Sequence, residues 1–160
     1  MEFYENLETA MRHFIKTGAF LTVKSGEHVN TMTVSWGFIG FIWGKPHFVT
    51  VVRPQRYTNE LLQAADSFTI SIPFDTLKDE LRICGTQSGR DLDKSGVVQF
   101  ADAKDITGAV VSGCDMYYEC KIACVDQMRG DVLPAEVLSK FYNNDLHQIY
   151  VGEIVRCYTK

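Results

Sequence analysis

The sequence predicts a single domain, residues 1–160, built as a small antiparallel β-barrel with short helices around it. The chain has 160 residues, which is enough for its own hydrophobic core. Its 46% hydrophobic and 22% charged residues are ordinary for a globular domain. Predicted strands outnumber helices, and most strands are separated by a turn or one short helix, which favours the barrel over a helical fold.

Four short helices are predicted, at residues 6–15, 59–65, 75–85 and 134–142. Apolar residues recur at helical spacing in the first of them. In the third, Thr76 and Asp79 have the spacing of a capping box, and Gly85 is placed to end the helix. Pro134 suits the first turn of the last helix.

The predicted strands lie at residues 19–23, 29–35, 46–52, 67–72, 97–100, 109–111, 115–125 and 147–158. They alternate apolar and polar residues or form short apolar runs, and the polar turn 24–28 joins the first two into a hairpin. Residues 38–43, FIGFIW, are too apolar for a solvent loop. This segment predicts either a barrel corner or a face buried against another chain.

Composition excludes several classes of function. A net charge of -4 and a pI near 5.5, with scattered Lys and Arg, argue against a nucleic-acid-binding surface. No apolar run approaches the ~20 residues of a membrane span, and the acidic start lacks the features of a signal peptide. We therefore expect a cytoplasmic protein whose five cysteines remain free thiols.

Common nucleotide, metal and nucleophile motifs are missing from the sequence. It has no GxGxxG, and residues 40–46 fail as a P-loop in spacing and in the last residue. Cys120 and Cys124 would lie ~13 Å apart on one face of a strand, so we expect core thiols and no metal site. No serine–histidine–acid or cysteine–histidine order can be assembled, so no catalytic side chain is predicted.

An early strand carries a row of hydroxyl groups. In residues 31–36, TMTVSW, Thr31, Thr33 and Ser35 alternate with apolar residues. Hydroxyls cost free energy when they are buried without partners. The row therefore indicates either solvent or a polar ligand on that side of the strand.

Positive charge follows the apolar strand at residues 46–52. Arg53, Arg56 and Thr58 come between that strand and the next predicted helix. Backbone N–H groups at a helix start and the helix dipole would add to the guanidinium groups, so a phosphate could bind here. The alternative is a pair of solvated surface arginines, which is common.

Five motifs follow one another in a recognisable order, and they cover nearly the whole chain. They are Asn30-x-Met32-Thr33-x-Ser35-Trp36-Gly37, Gly44-Lys45-Pro46, Val52-Arg53-Pro54-x-Arg56-Tyr57-Thr58, Ser88-Gly89-Arg90-Asp91-x-Asp93-Lys94, and Tyr118-Glu119-Cys120-Lys121 with Tyr150-Val151-Gly152-Glu153-Ile154. Together they resemble the flavin reductase-like family of FMN-binding split barrels, which includes the flavoredoxins. The resemblance implies an antiparallel Greek-key split β-barrel with FMN as its cofactor.

The resemblance also implies a set of flavin contacts. They are Asn30, Met32, Thr33, Ser35, Trp36, Arg53, Arg56, Tyr57, Thr58, Ser88, Gly89, Lys94 and His147. Residues of the early strand are expected at the pyrimidine edge and ribityl chain, and residues 53–58 at the phosphate. Lys94 is expected near the flavin N1–O2 edge, where a cation would stabilise the anionic reduced form.

Two functions agree with the resemblance. The first is an oxidoreductase in which NADH or NADPH gives a hydride to the flavin, which then passes electrons to an acceptor. The alternative is a flavoredoxin-type electron carrier without its own nicotinamide activity, reduced by a partner protein. The sequence does not separate the two, and in both cases a homodimer through the apolar residues 38–43 is expected.

Overall fold

In the computed structural model, which describes residues 1–160, strands dominate and the helices are short. The strands are β1 (Ala19–Ser25), β2 (His28–Val34), β3 (Gly37–Ile42), β4 (Lys45–Val52), β5 (Ser67–Ile72), β6 (Phe100–Asp102), β7 (Ala109–Val111), β8 (Met116–Gln127) and β9 (Gln148–Thr159). The α-helices are α1 (Leu7–Lys16), α2 (Tyr57–Leu62), α3 (Lys78–Thr86) and α4 (Ala135–Phe141). None of these helices has the length and apolar character needed to cross a membrane.

One antiparallel sheet of seven strands organises the fold. Its strand order is β2-β1-β5-β8-β9-β4-β3, and β6 pairs separately with β7. β1 and β2 form the predicted hairpin, and the two longest strands, β8 and β9, pair along their length. The predicted antiparallel split barrel with peripheral helices is confirmed. The sheet is not closed, because β2 and β3 remain its two edges.

Two hydrophobic clusters fill the interior. The larger one, of 20 buried residues, includes Phe14 of α1, whose ring centroid lies 5.5 Å from that of Phe48 in β4. The smaller one, of 8 buried residues, joins α3 to the β6–β7 pair through Leu81 and Val110. α3 also packs against β2. This contact makes β2 and α3 neighbouring walls on one side of the sheet.

The start of α3 differs from the prediction. Leu77, immediately before the helix, has a φ of 52°, and no side chain caps this end. The predicted capping box of Thr76 and Asp79 is therefore wrong, because the left-handed residue displaces Thr76 from the capping position. Gly85 does not end the helix either, since α3 continues to Thr86.

Strand β8 also corrects a prediction. Its pairing with β9 shifts register between Glu119 and Cys120 and again between Ile122 and Cys124. Such irregularities interrupt the alternation of side chains along a strand. Cys120 is buried and Cys124 exposed, so the prediction that both are core thiols is wrong for Cys124, because no residue of β8 after Cys120 is buried.

Candidate functional site

A groove follows β2 and is bounded by the segments that lead into α2 and out of α3. It has three connected parts, called here the first, middle and third chambers, with volumes of about 150, 270 and 570 Å³. Met32 and Arg56 line both the first and the middle chamber. Asn30, Tyr57 and Gly89 line both the middle and the third. The shared walls make the three chambers one elongated groove.

All of the predicted site residues line this groove. Those of the first chamber are Met32, Thr33, Ser35, Trp36, Arg53, Arg56 and His147. The middle chamber adds Asn30, Tyr57, Thr58, Ser88 and Gly89, and the third adds Lys94. Segments more than 100 residues apart in sequence therefore meet in one place, although their contacts with a flavin remain a prediction.

The predicted open row of hydroxyls on β2 is wrong at two of its three positions. Thr31 Oγ1 donates to the Leu21 carbonyl at 3.1 Å, and Thr33 Oγ1 donates to the Leu81 carbonyl of α3 at 2.6 Å. β1 and α3 provide the carbonyl acceptors for these two hydroxyls because both elements pack directly against β2. Only Ser35, which lies beyond the end of β2, leaves its hydroxyl exposed.

The floor of the middle chamber is a fixed polar contact between β2 and α2. Asn30 Nδ2 donates to Thr58 Oγ1 at 2.8 Å, and both side chains are buried. Gly89 crosses this pair so closely that a Cβ there would lie 2.1 Å from Asn30 Oδ1 and 2.8 Å from the Tyr57 ring. Any larger residue at position 89 would push the loop away from the groove.

The two predicted arginines have different surroundings. Arg53 forms an ion pair with Asp145 and donates to the Phe141 carbonyl at 2.8 Å. Arg56 donates only to the Gly85 carbonyl at 3.3 Å and has no carboxylate partner. The guanidinium of Arg56 is thus available to an anionic ligand, whereas the positive charge of Arg53 is already balanced by Asp145.

Lys94 is a buried cation with few partners. Its side chain is 2% exposed, and Nζ donates to the Gln87 carbonyl at 2.5 Å without any ion pair. Burial, more than any neighbouring charge, lowers the pKa of Lys94. An ammonium has three donors, so this environment suits an anionic or electron-rich ligand atom.

The first chamber is closed at one side by aromatic rings. The Trp36 ring centroid lies 5.2 Å from His147 and 5.4 Å from Phe141. His147 Nδ1 lies 2.9 Å from the Tyr142 hydroxyl. Burial, followed by the positive charge of Arg53, lowers the pKa of His147 to about 4, so the imidazole is neutral at physiological pH. This end of the groove suits an uncharged planar group.

Sequence analysis missed several residues that line the groove. The middle chamber is also lined by Gln55, Cys84, Thr86 and Gln87. Gln55 occupies the variable position of the motif at residues 52–58, and Gln87 directly precedes the one at residues 88–94. Their spacing alone could have suggested them. No group of three or more His, Cys, Asp or Glu side chains is placed to hold a metal ion.

Comparisons with known proteins agree with this fold. No curated protein matches the sequence. Similar solved structures include an FMN-binding protein from Thermus thermophilus with bound p-hydroxybenzaldehyde, at a TM-score of 0.72 and 25% identity over 90% of this chain and 71% of that one. A flavoredoxin from Methanosarcina acetivorans has a TM-score of 0.71 and 21% identity over 90% of this chain and 68% of that one.

An NADH:FAD oxidoreductase from Streptomyces globisporus C-1027 has a TM-score of 0.68 and 17% identity over 90% of this chain and 76% of that one. At these identities the last two likenesses describe the fold alone. The model of the flavin reductase like domain matches residues 11–160, which is nearly the whole chain. The chain belongs to the flavin reductase-like family.

Proposed function

We propose that this protein binds FMN in the groove along β2 and acts as an NAD(P)H:flavin oxidoreductase. The observation that carries the proposal is the distribution of charge and polarity along the groove. Arg56, which lines the first and middle chambers, and Lys94, which lines the third, are cations without carboxylate partners, and the first chamber also holds the rings of Trp36 and His147. FMN likewise joins a planar ring system to a phosphate through a polyhydroxyl chain.

The residues present fit such a ligand. Arg56 supplies a guanidinium for the phosphate, and the hydroxyls of Thr58 and Ser88 line the same chamber. Gly89 lets the backbone approach closely, since a Cβ would collide with Asn30. The buried ammonium of Lys94 would favour the form of the ligand that carries more negative charge.

When bound, FMN would accept a hydride from reduced nicotinamide and pass the electrons to an acceptor. The chain's own part is to orient the ligand, exclude water and supply positive charge. His147 is neutral at physiological pH, and burial lowers the pKa of Lys94, which has a single carbonyl partner. We assign no side chain the role of acid or base in the hydride step.

A flavoredoxin-type electron carrier is the second candidate. Solved structures described as flavoredoxin and as NADH:FAD oxidoreductase resemble this chain to a similar degree, with TM-scores of 0.71 and 0.68. A carrier would bind FMN in the same groove, but a partner protein would reduce it. The two candidates differ only in the rate at which NADH or NADPH reduces the bound flavin.

Two measurements test these candidates. An absorption spectrum of the protein as isolated, before and after desalting, followed by titration with FMN, tests flavin binding. A colourless protein that does not quench FMN fluorescence would contradict both candidates. Stopped-flow mixing with NADH and with NADPH under argon then separates them, because bleaching too slow for turnover identifies the carrier.

We also propose that the protein is a homodimer located in the cytoplasm. β3 is an edge strand whose Phe38 and Phe41 are 59% and 65% exposed, and Trp43 beside it is 65% exposed. A lone domain rarely leaves such an apolar patch in water. Light scattering at micromolar concentration tests the dimer, and a monomeric mass would contradict it. A location in the cytoplasm would keep the five cysteines as free thiols.

A further inference from the structure

A hydrogen bond between two side chains lies behind the first chamber. Tyr142 Oη is 2.9 Å from His147 Nδ1 and 3.2 Å from Met128 Sδ. His147 is 6% exposed, and its other ring nitrogen, Nε2, has no hydrogen bond to the protein but is not sealed from solvent. Because the ring lines the first chamber, Nε2 is the atom that His147 offers to a ligand.

The imidazole of His147 is neutral, and the phenol of Tyr142 keeps its proton. Arg53, Arg56 and Asp145 are the charged groups that act on the ring, and burial together with the arginines lowers the pKa of His147 to about 4. Burial also raises the pKa of Tyr142. A neutral imidazole has one N–H, so its position decides whether Nε2 donates or accepts.

Two arrangements satisfy the Tyr142 hydroxyl. It can donate to Met128 Sδ and accept a hydrogen bond from His147 Nδ1–H, or it can donate to Nδ1 and leave the ring proton on Nε2. A thioether sulfur is a weak acceptor and the unprotonated nitrogen of a neutral imidazole is a strong one, which favours the second arrangement. Arg53 keeps the phenol in place, because its Cζ lies 5.3 Å from the Tyr142 ring centroid and its Nη2 donates to the Phe141 carbonyl at 2.8 Å.

We propose that Tyr142 is a positioning residue that holds His147 as the Nε2–H tautomer, so that the first chamber offers one neutral donor to a carbonyl-type oxygen of its ligand. This inference rests on the proposed function. The chamber is lined by Met32, Val34, Trp36 and Val51 together with the polar side chains of Thr33, Ser35, Arg53 and Arg56. A ligand that displaces water from Nε2 without offering an acceptor would leave the N–H unpaired, so the chamber favours a planar ligand that carries a carbonyl oxygen.

The tautomer can be measured on the protein without added ligand. ¹⁵N NMR of the histidine ring nitrogens reports it, and His147→Gln identifies the His147 signals among those of the four histidines. We expect the Nε2–H pattern in the natural protein and a mixture of tautomers in Tyr142→Phe. Tyr4→Phe, at a tyrosine that is 59% exposed, should leave the pattern unchanged. An Nδ1–H pattern in the natural protein would overturn the inference.

The effect on the ligand is measured by titration with FMN, followed by flavin fluorescence. Tyr142→Phe should weaken FMN binding by the factor by which it lowers the population of the Nε2–H tautomer, about twofold for an equal mixture. In His147→Gln the amide donates independently of Tyr142, so adding Tyr142→Phe should leave the affinity unchanged.

An equal loss in both backgrounds would overturn the inference, because Tyr142 would then act by a route that does not involve His147. Failure of the natural protein to bind FMN would instead overturn the proposed function and, with it, the ligand part of this inference. The NMR measurement needs no ligand, so the two failures are distinguishable.

Discussion

Two buried charges in this fold have unequal numbers of partners. Glu119 is fully buried, and its carboxylate accepts hydrogen bonds from the backbone N–H groups of Lys104 at 2.8 Å and Asp105 at 2.7 Å. Lys94 is 2% exposed, and its ammonium donates a single hydrogen bond, to the Gln87 carbonyl. The loop that follows β6 thus supplies two backbone donors to the Glu119 carboxylate, whereas the groove supplies a single acceptor to the Lys94 ammonium.

The difference separates a structural charge from one available to a ligand. Burying a charge is unfavourable unless hydrogen bonds and opposite charges compensate for the lost water. For Glu119 the protein itself provides that compensation. For Lys94 it is incomplete, and an anionic or electron-rich ligand would supply the remainder. A substitution of Glu119 should therefore affect stability more than ligand binding, and a substitution of Lys94 should affect ligand binding more than stability.

Glu119→Gln should have the largest effect on stability. The amide group would turn a donor toward the two backbone N–H groups, so we expect the free energy of unfolding to fall by about 3 kcal/mol. Urea unfolding measures this change, and Glu136→Gln, on the exposed face of α4, is the matched control. If Glu119→Gln unfolded at the same urea concentration as the control, the loop would not depend on the carboxylate.

Lys94→Met should produce the opposite pattern. Removing a poorly paired buried charge should leave the free energy of unfolding unchanged or raise it by about 1 kcal/mol. FMN binding should weaken by between about tenfold and a hundredfold, because a charge-assisted contact is lost. Lys16→Met, at an exposed lysine of α1, serves as the control. Strong destabilisation with unchanged FMN affinity would make Lys94 a structural residue like Glu119.

The two arginines provide a smaller version of the same comparison. Arg56→Gln should weaken FMN binding about tenfold, since Arg56 has no carboxylate partner. Arg53→Gln should weaken it by no more than about twofold and lower the free energy of unfolding by about 1 kcal/mol, through loss of the partly exposed ion pair with Asp145. Equal losses of affinity in both variants would mean that Arg53 leaves Asp145 to bind the ligand.

The smallest expected effect is a pH dependence due to His147. Its pKa is lowered from 6.5 to about 4, so between these values the unfolded chain binds a proton that the folded chain does not. Stability should therefore rise with pH from about 4 to 6.5, and His147→Gln should reduce that rise. Urea unfolding at several pH values measures it. His28→Gln, at an exposed histidine, should retain the full rise.

The sequence predicted the class of fold and the residues of the groove better than it predicted the hydrogen bonds and ion pairs of their side chains. Alternation located β2, and ordered motifs identified three of the segments that line the groove, at residues 30–37, 52–58 and 88–94. Alternation could not reveal that Leu21 and Leu81 provide acceptors for Thr31 and Thr33, because these partners come from other elements. The sequence therefore predicted hydroxyls free to bind solvent or a ligand, although those of Thr31 and Thr33 already donate hydrogen bonds within the protein.

Long-range charge pairing was equally invisible. Asp145 lies 92 residues after Arg53, and no pattern links them, so both arginines appeared equally able to bind a phosphate. Glu119 was part of a recognised motif, but its role depends on backbone N–H groups of a loop without any motif of its own. These features depend on contacts between residues far apart in the chain, and the local spacing of residue types does not reveal such contacts.

The exposed end of β8 gives the protein a practical property. Because Cys124 lies there while the other four cysteines are buried, a thiol-reactive dye should label the native chain at that single position. Cys124 pairs with Val151 across the sheet and lines none of the three chambers, so the natural sequence offers a site for a fluorescent reporter without any engineered cysteine.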